Sequence, residues 1–173
     1  MAVRPARPDD VPRIAEIHVR SWQAAYDGLI PQDYLDGLDP AQRLAGWSRT
    51  VENPDDYRGG TLVVTDDRDR TMGFAHVRES RDADERDASV GEVWAIYLER
   101  EGWGKGLGRE LMTAAVAYLT KLGYQQATLW VIDGNARARR FYEAAGFRID
   151  GGVKVDDSRG FALREVRYRR ALG

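Results

Sequence analysis

Gly102-Trp103-Gly104-Lys105-Gly106-Leu107-Gly108-Arg109 sets four glycines at alternate positions. The stretch lies between a strand-like run ending at Leu98 and a helical pattern that starts at Leu107. Glycine carries no Cβ, so the main chain turns tightly there and stays open to a ligand. The first N–H groups of the coming helix have no partner within it, and they face the same point as its positive dipole end. Such a turn suits a phosphate or pyrophosphate. One or two glycines would fit an empty turn as well; four at alternate positions favour a ligand.

Two common phosphate-binding patterns fail here. A Walker loop needs Gly-Lys-Ser/Thr, but Gly106 follows Lys105. A dinucleotide fingerprint needs Gly-x-Gly-x-x-Gly, and the last position falls on Leu107 or Arg109 in the two available frames. About 20 residues beyond the turn, Gln126, Ala127 and Thr128 offer no acid to hold a ribose.

Outward from the turn, the pattern predicts an α/β chain. Upstream, runs at 61–65, 72–78 and 90–98 read as strands, the first two joined by a turn at Asp66-Asp67-Arg68-Asp69. A short strand at 2–4 precedes a helix capped by Asp9 or Asp10, with Val11, Ile14, Ala15, His18, Trp22 and Ala25 at helical spacing. Residues 32–52 read as short helices anchored by Leu35, Leu38, Leu44 and Trp47, and 54–60 as a loop. Downstream, Leu107, Leu111, Met112, Ala115 and Leu119 share a helix face that Gly123 ends. A strand follows at 127–132, then a helix capped by Asn135, then two strands near 147–155 and 161–169. No linker or repeat interrupts the order, so one domain over 1–173 is expected.

Composition sets further bounds. The 173 residues are 43% hydrophobic and 31% charged, enough to bury a core. With 26 basic and 28 acidic residues the net charge is −2, so no basic field marks nucleic acid as a partner. The absence of cysteine excludes a disulfide framework, a thiolate metal site and a cysteine nucleophile. His18 and His76 lie on unrelated segments with no supporting carboxylate spacing, so no metal is expected. MAVRPARPDD lacks the apolar core of a signal peptide, and no stretch approaches the ~20 apolar residues of a membrane helix. The expectation is a cytoplasmic protein with no membrane partner. The acidic run Asp82-Ala83-Asp84-Glu85-Arg86-Asp87 reads as a solvated loop, or as bait for a cationic acceptor.

These residues resemble the GNAT N-acetyltransferase superfamily. Its pyrophosphate motif runs Gln/Arg-x-x-Gly-x-Gly/Ala after a strand. Glu101-Gly102-Trp103-Gly104-Lys105-Gly106 matches both glycines, and Leu-Gly-Arg follows. Glu101 replaces the usual Gln/Arg, and Trp103 stands where a basic residue is frequent. Further on, Asn135-x-x-Ala138-x-x-Phe141-Tyr142-x-x-x-Gly146-Phe147 looks like the family's later CoA-binding helix at each of those positions. The resemblance extends from residue 3 to residue 168 and is thinnest over 27–60.

The resemblance implies a central mixed, largely antiparallel sheet of about seven strands, with helices on both faces. It implies acetyl-CoA as co-substrate and direct transfer to a primary amine of a small molecule or peptide, without an acyl-enzyme. An acyl-CoA-binding sensor of the same fold, without turnover, is the alternative. Residues 90–147 would form the acyl-CoA core and 1–60 would shape the acceptor site. Family members often dimerise, so a homodimer is an expectation.

Roles fall to named residues. A lysine-like amine costs roughly 4–5 kcal/mol to present unprotonated at pH 7, so a general base is needed. Glu92, in a strand apolar on both faces, is the candidate, because a carboxylate there is costly without a purpose; an ion pair at a sheet margin is the competing reading. Tyr142 is the candidate general acid toward the departing thiolate, against a reading as a core tyrosine. By resemblance, Ile96, Tyr97 and Leu98 pair their backbone with the pantetheine arm, on a strand that splays from its neighbour. Trp103, Gly104, Lys105, Gly106, Leu107, Gly108 and Arg109 surround the pyrophosphate, and Asn135 and Tyr142 complete the cofactor set. Arg109, Arg137, Arg139 and Arg140 are available to CoA phosphates or form a solvated helix face. Trp22 and Tyr26, four apart on one helix face, wall an acceptor pocket or pack the core. His18 and His76 read as satisfied structural histidines.

Overall fold

The computed structural model describes residues 2–82, 84 and 88–173. Among these, seven strands form one sheet: β1 Ala2–Pro5, β2 Gly60–Thr65, β3 Thr71–Glu79, β4 Val90–Leu98, β5 Gln126–Ile132, β6 Arg148–Asp156 and β7 Leu163–Ala171. Their spatial order is β1-β2-β3-β4-β5-β7-β6, and every neighbouring pair is antiparallel except β4 with β5. The helices are α1 Val11–Ala25, α2 Gln32–Asp36, α3 Leu44–Glu52, α4 Leu107–Lys121 and α5 Ala136–Ala144. This is the mixed, largely antiparallel α/β architecture that the sequence led us to expect.

Helical periodicity decides how the faces are covered. On α4, Leu107, Leu111, Met112, Ala115 and Leu119 lie on one side and bury against Leu62, Val64, Ala75, Val77 and Leu129 of the sheet. On the opposite face, Ile14 and Ile17 of α1 and Trp47 of α3 pack on Val63, Phe74 and Ala95. Each such aliphatic side chain contributes about 1.5–3 kcal/mol on burial.

Several local expectations change. Asp10 precedes α1 but does not cap it; its carboxylate accepts from Arg4 Nη1 at 2.7 Å, Arg4 Nη2 at 2.9 Å and the Arg7 N–H at 2.8 Å. A charge-assisted, two-pronged pair is stronger than a neutral cap bond. Leu35 and Trp47 are buried anchors and Leu38 is half-buried, but Leu44 is exposed at the start of α3. Residues Pro54–Tyr57 form a 3-10 turn within the expected loop. Of the acidic run, Asp82 and Asp84 pair with the buried Arg167. Ala83, Glu85, Arg86 and Asp87 lie outside the described residues.

Two irregularities in β4 prepare the site. Its parallel ladder with β5 covers Val90–Gln126, Gly91–Ala127 and Glu92–Thr128, and then the strands part. On the other edge, Ala95 lies opposite His76 but Val93 lies opposite Val77, so Trp94 is an extra residue in a bulge.

Candidate active site

A cleft of about 450 Å³ opens at the C-terminal end of β4, bounded by α1, the glycine turn and α5. The turn forms one end. Gly104 at φ +73° and Gly106 at φ +83° adopt left-handed backbone conformations, and a Cβ at either would meet open space. The first helical bond runs from the Glu110 N–H to the Gly106 carbonyl at 3.1 Å. The N–H groups of 104–109 have no acceptor among the described residues. They form the donor row that a pyrophosphate needs.

Ile96, Tyr97, Leu98, Trp103, Gly104, Gly106, Gly108, Arg109, Asn135 and Tyr142 all line this cleft. Lys105 is exposed on the turn, and the Leu107 side chain is buried in the core, so only its backbone faces the turn. Gly108 is packed close: a Cβ there would lie 3.3 Å from Phe141. Trp103 folds back over the mouth, its Nε1 donating to the Leu98 carbonyl at 3.3 Å and its ring lying 3.5 Å beneath the Arg137 guanidinium. The Asn135 Oδ1 accepts from the Ala138 N–H at 3.1 Å, which caps α5, and Asn135 also lines the cleft. Arg139 is engaged elsewhere, with Asp133 at 2.8 Å and the Tyr168 hydroxyl at 3.0 Å.

Tyr142 stands on α5 against Phe141, Phe147 and Tyr168. Burial, with Tyr97 close by, pushes its phenol well above the ordinary tyrosine range, so it holds its proton at neutral pH. Glu92 is buried at 4% exposure and carries an Oε2 with no hydrogen-bond partner among the described residues. The Arg81 Nε is 3.8 Å from that oxygen. Burial raises the Glu92 carboxyl above its usual range, against the pull of Arg81. Glu92 does not line the cleft itself; it precedes Tyr97 on β4 by roughly 15 Å of extended strand.

Trp22 and Tyr26 meet edge to face at 4.9 Å on α1. Trp22 is buried with Ile30, Leu35, Ile132 and Leu163, and Tyr26 packs beside them. Burial and the neighbouring Tyr97 and Tyr142 push the Tyr26 phenol far up. The cleft wall from α1 is instead Ser21, Ala24 and Ala25. Sequence reasoning missed these three, although their i, i+3, i+4 spacing of small residues was a usable signal. Ser21 Oγ also donates to the Leu98 carbonyl at 2.9 Å, tying α1 to the end of β4. Glu165 is a second carboxylate close enough to Tyr26 and Tyr97 to raise both phenols, and no motif marked it.

The histidines are structural. His18 Nδ1 accepts from Trp47 Nε1 at 3.0 Å and stacks on Tyr97, and His76 shares a 2.9 Å bond with Thr61. Burial lowers both pKa values to about 3. No helix among the described residues is long and apolar enough to cross a membrane.

Comparison with known proteins identifies the family and supports the fold. The model of the acetyltransferase (GNAT) family matches residues 12–147. The chain belongs to that family. It is 33% identical over 145 residues to the uncharacterized N-acetyltransferase YuaI of Bacillus subtilis, covering 83% of this chain and 78% of that one. It is 37% identical over 90 residues to the mycothiol acetyltransferase of Thermobispora bispora, covering 52% of this chain but 28% of that longer protein. Its fold matches the PaiA N-acetyltransferase of Thermoplasma acidophilum, solved with coenzyme A, at a TM-score of 0.75 and 19% identity over 98% of both chains.

Proposed function

We propose that the chain binds acetyl-CoA in this cleft and moves the acetyl group directly to a primary amine of a small molecule or peptide. The observation that carries the reading is the row of unpartnered N–H groups at 104–109, which opens onto an apolar cleft ending at Tyr142. Residues 90–147 then serve as the acyl-CoA core and 1–60 as the acceptor side, with Trp22 and Tyr26 packed behind the α1 wall rather than forming it. The co-substrate is an intracellular metabolite, so a cytoplasmic setting belongs to the same reading.

The N–H groups of 104–109 hold the pyrophosphate, with Lys105 and Arg109 beside them. The edge of β4 that β5 leaves unpaired after Glu92 presents the Ile96, Tyr97 and Leu98 backbone to the pantetheine arm. The Asn135 amide donates to the same arm. Bound acetyl-CoA supplies the acetyl group as a thioester.

Glu92 takes the proton of the acceptor ammonium, and the distance along β4 means that water relays it. The freed nitrogen attacks, the C–N bond forms and the C–S bond breaks. Tyr142 gives its proton to the leaving sulfur, so CoA departs as a thiol, and the nitrogen's second proton returns to the Tyr142 phenolate as the amide forms. No protein nucleophile is used. The test is a panel of primary amines with acetyl-CoA, following free thiol. Turnover undiminished in both Glu92→Gln and Tyr142→Phe would overturn these roles.

A further inference from the structure

A second cavity, of about 320 Å³, lies between α3 and the β3–β4 face. Its volume is at the lower end of the range of about 300–1,000 Å³ typical of ligand pockets. Three arginines line it: Arg43, Arg49 and Arg78. Trp47, Tyr57 and Trp94 supply flat walls, and the lining contains no carboxylate. Glu79 and Glu92 act on Arg78 from outside the lining, while their ion pairs are with Arg58 at 3.0 Å and Arg81 at 3.8 Å. His18 and His76, which also line the cavity, stay neutral and add no charge.

The arginines are not paired off. Among the described residues, none of the three has an acidic partner within ion-pair distance. The Arg78 guanidinium lies 4.8 Å over the Tyr57 ring, and its buried Nε has no hydrogen-bond partner. A buried, unpaired guanidinium nitrogen is costly unless a ligand completes it. Arg43 also reaches over the Trp22 ring at 6.0 Å, so its positive charge spans this cavity and the aromatic cluster beside the cleft.

Position ties the cavity to the chemistry. Arg78 is the cross-strand partner of Glu92, and Trp94 lies two residues beyond Glu92 at the β4 bulge. A molecule held by these arginines would therefore lie beside the base assigned above. We infer that the acetyl acceptor is an amine that also carries an anionic group on a flat, apolar body, and that Arg43, Arg49 and Arg78 hold that anion. The inference rests on Glu92 acting as the base; the anion pocket itself does not.

Two measurements separate the claims. Benzoate and phenyl phosphate, titrated calorimetrically into the whole chain, are expected to bind, the tighter one showing whether carboxylate or phosphate is preferred. Arg78→Met, and the exposed Arg49→Met should the first variant fold poorly, are expected to weaken binding about tenfold. Failure of both anions to bind, or equal binding by wild type and variants, overturns the pocket. In the thiol-release assay, 4-(aminomethyl)benzoate is expected to exceed its methyl ester in kcat/KM by about tenfold. Arg49→Met is expected to erase that preference without altering KM for acetyl-CoA. Equal use of acid and ester overturns the substrate class while leaving acetyl transfer intact. Anion binding without transfer to any amine overturns the acetyltransferase reading and leaves the pocket standing.

Discussion

Glu92 and Thr128 are the last partners in the parallel ladder between β4 and β5, and the strands diverge immediately beyond them. The candidate base thus sits at the apex of the split whose far end receives the cofactor. There the carboxylate is buried, and the closest cation in an ion pair with it is Arg81 at 3.8 Å. Its raised pKa means that the folded state prefers the protonated form. The stability Glu92 contributes is therefore fully present below the ordinary glutamate pKa, about 4.3, and is lost as pH rises through the raised value. Glu92→Gln should melt higher than wild type at pH 8, with the gap closing near pH 4. Thermal melts across that range check it; a variant that melts lower at pH 8 would contradict it.

Tyr142→Phe removes one hydroxyl from the cleft wall and leaves its ring contacts with Phe147 and Tyr168. The expected result is a kcat lowered by about 10²-fold with KM for acetyl-CoA unchanged, because the phenol acts on the leaving sulfur. Steady-state kinetics with thiol detection would show it. An unchanged kcat with a raised KM would make Tyr142 a binding residue only.

Gly106 holds φ +83° at the entry to α4. Gly106→Val should cost about 1–2 kcal/mol of stability through left-handed backbone strain alone. Its branched side chain would also stand in the space before the N–H row, so calorimetric CoA binding should fall below detection. Retained CoA affinity in a folded variant would place the pyrophosphate elsewhere.

His18 and His76 are buried neutral with pKa values of about 3. The unfolded chain takes up their protons first, near pH 6.5, so the stability they contribute is present above that value and lost as pH falls toward 3. Trp47→Phe removes the donor to His18 Nδ1 and should destabilise the fold by roughly 1–3 kcal/mol at pH 7. Denaturant melts at pH 7 and pH 5 test both statements. Stability that does not change across this interval would mean that the imidazoles are not sealed from water.

Much of this was legible because the deciding signals are local. The apolar, both-faced run Val90–Leu98 could only be an inner strand, and Asn135 caps α5 through a bond to Ala138, three residues on. What escaped depends on partners distant in sequence. Asp10 abandons its cap for Arg4 across a turn. Leu44 has the residue type and the i, i+3 spacing to Trp47 of an anchor, but as the first residue of α3 it stays exposed. The bulge at Trp94 appears only when β3 lies alongside β4. The three-arginine cavity draws on residues from His18 to Trp94, none of them in a recognisable motif.

The pH dependence of kcat/KM for an accepted amine, in wild type and Glu92→Gln, tests the central claim most directly. Wild type should lose activity on the acid side with an apparent pKa above the ordinary glutamate range, and Glu92→Gln should lose that limb along with about 10²-fold or more of the rate. An acid limb that survives unchanged in Glu92→Gln would contradict the assignment of Glu92 as the base.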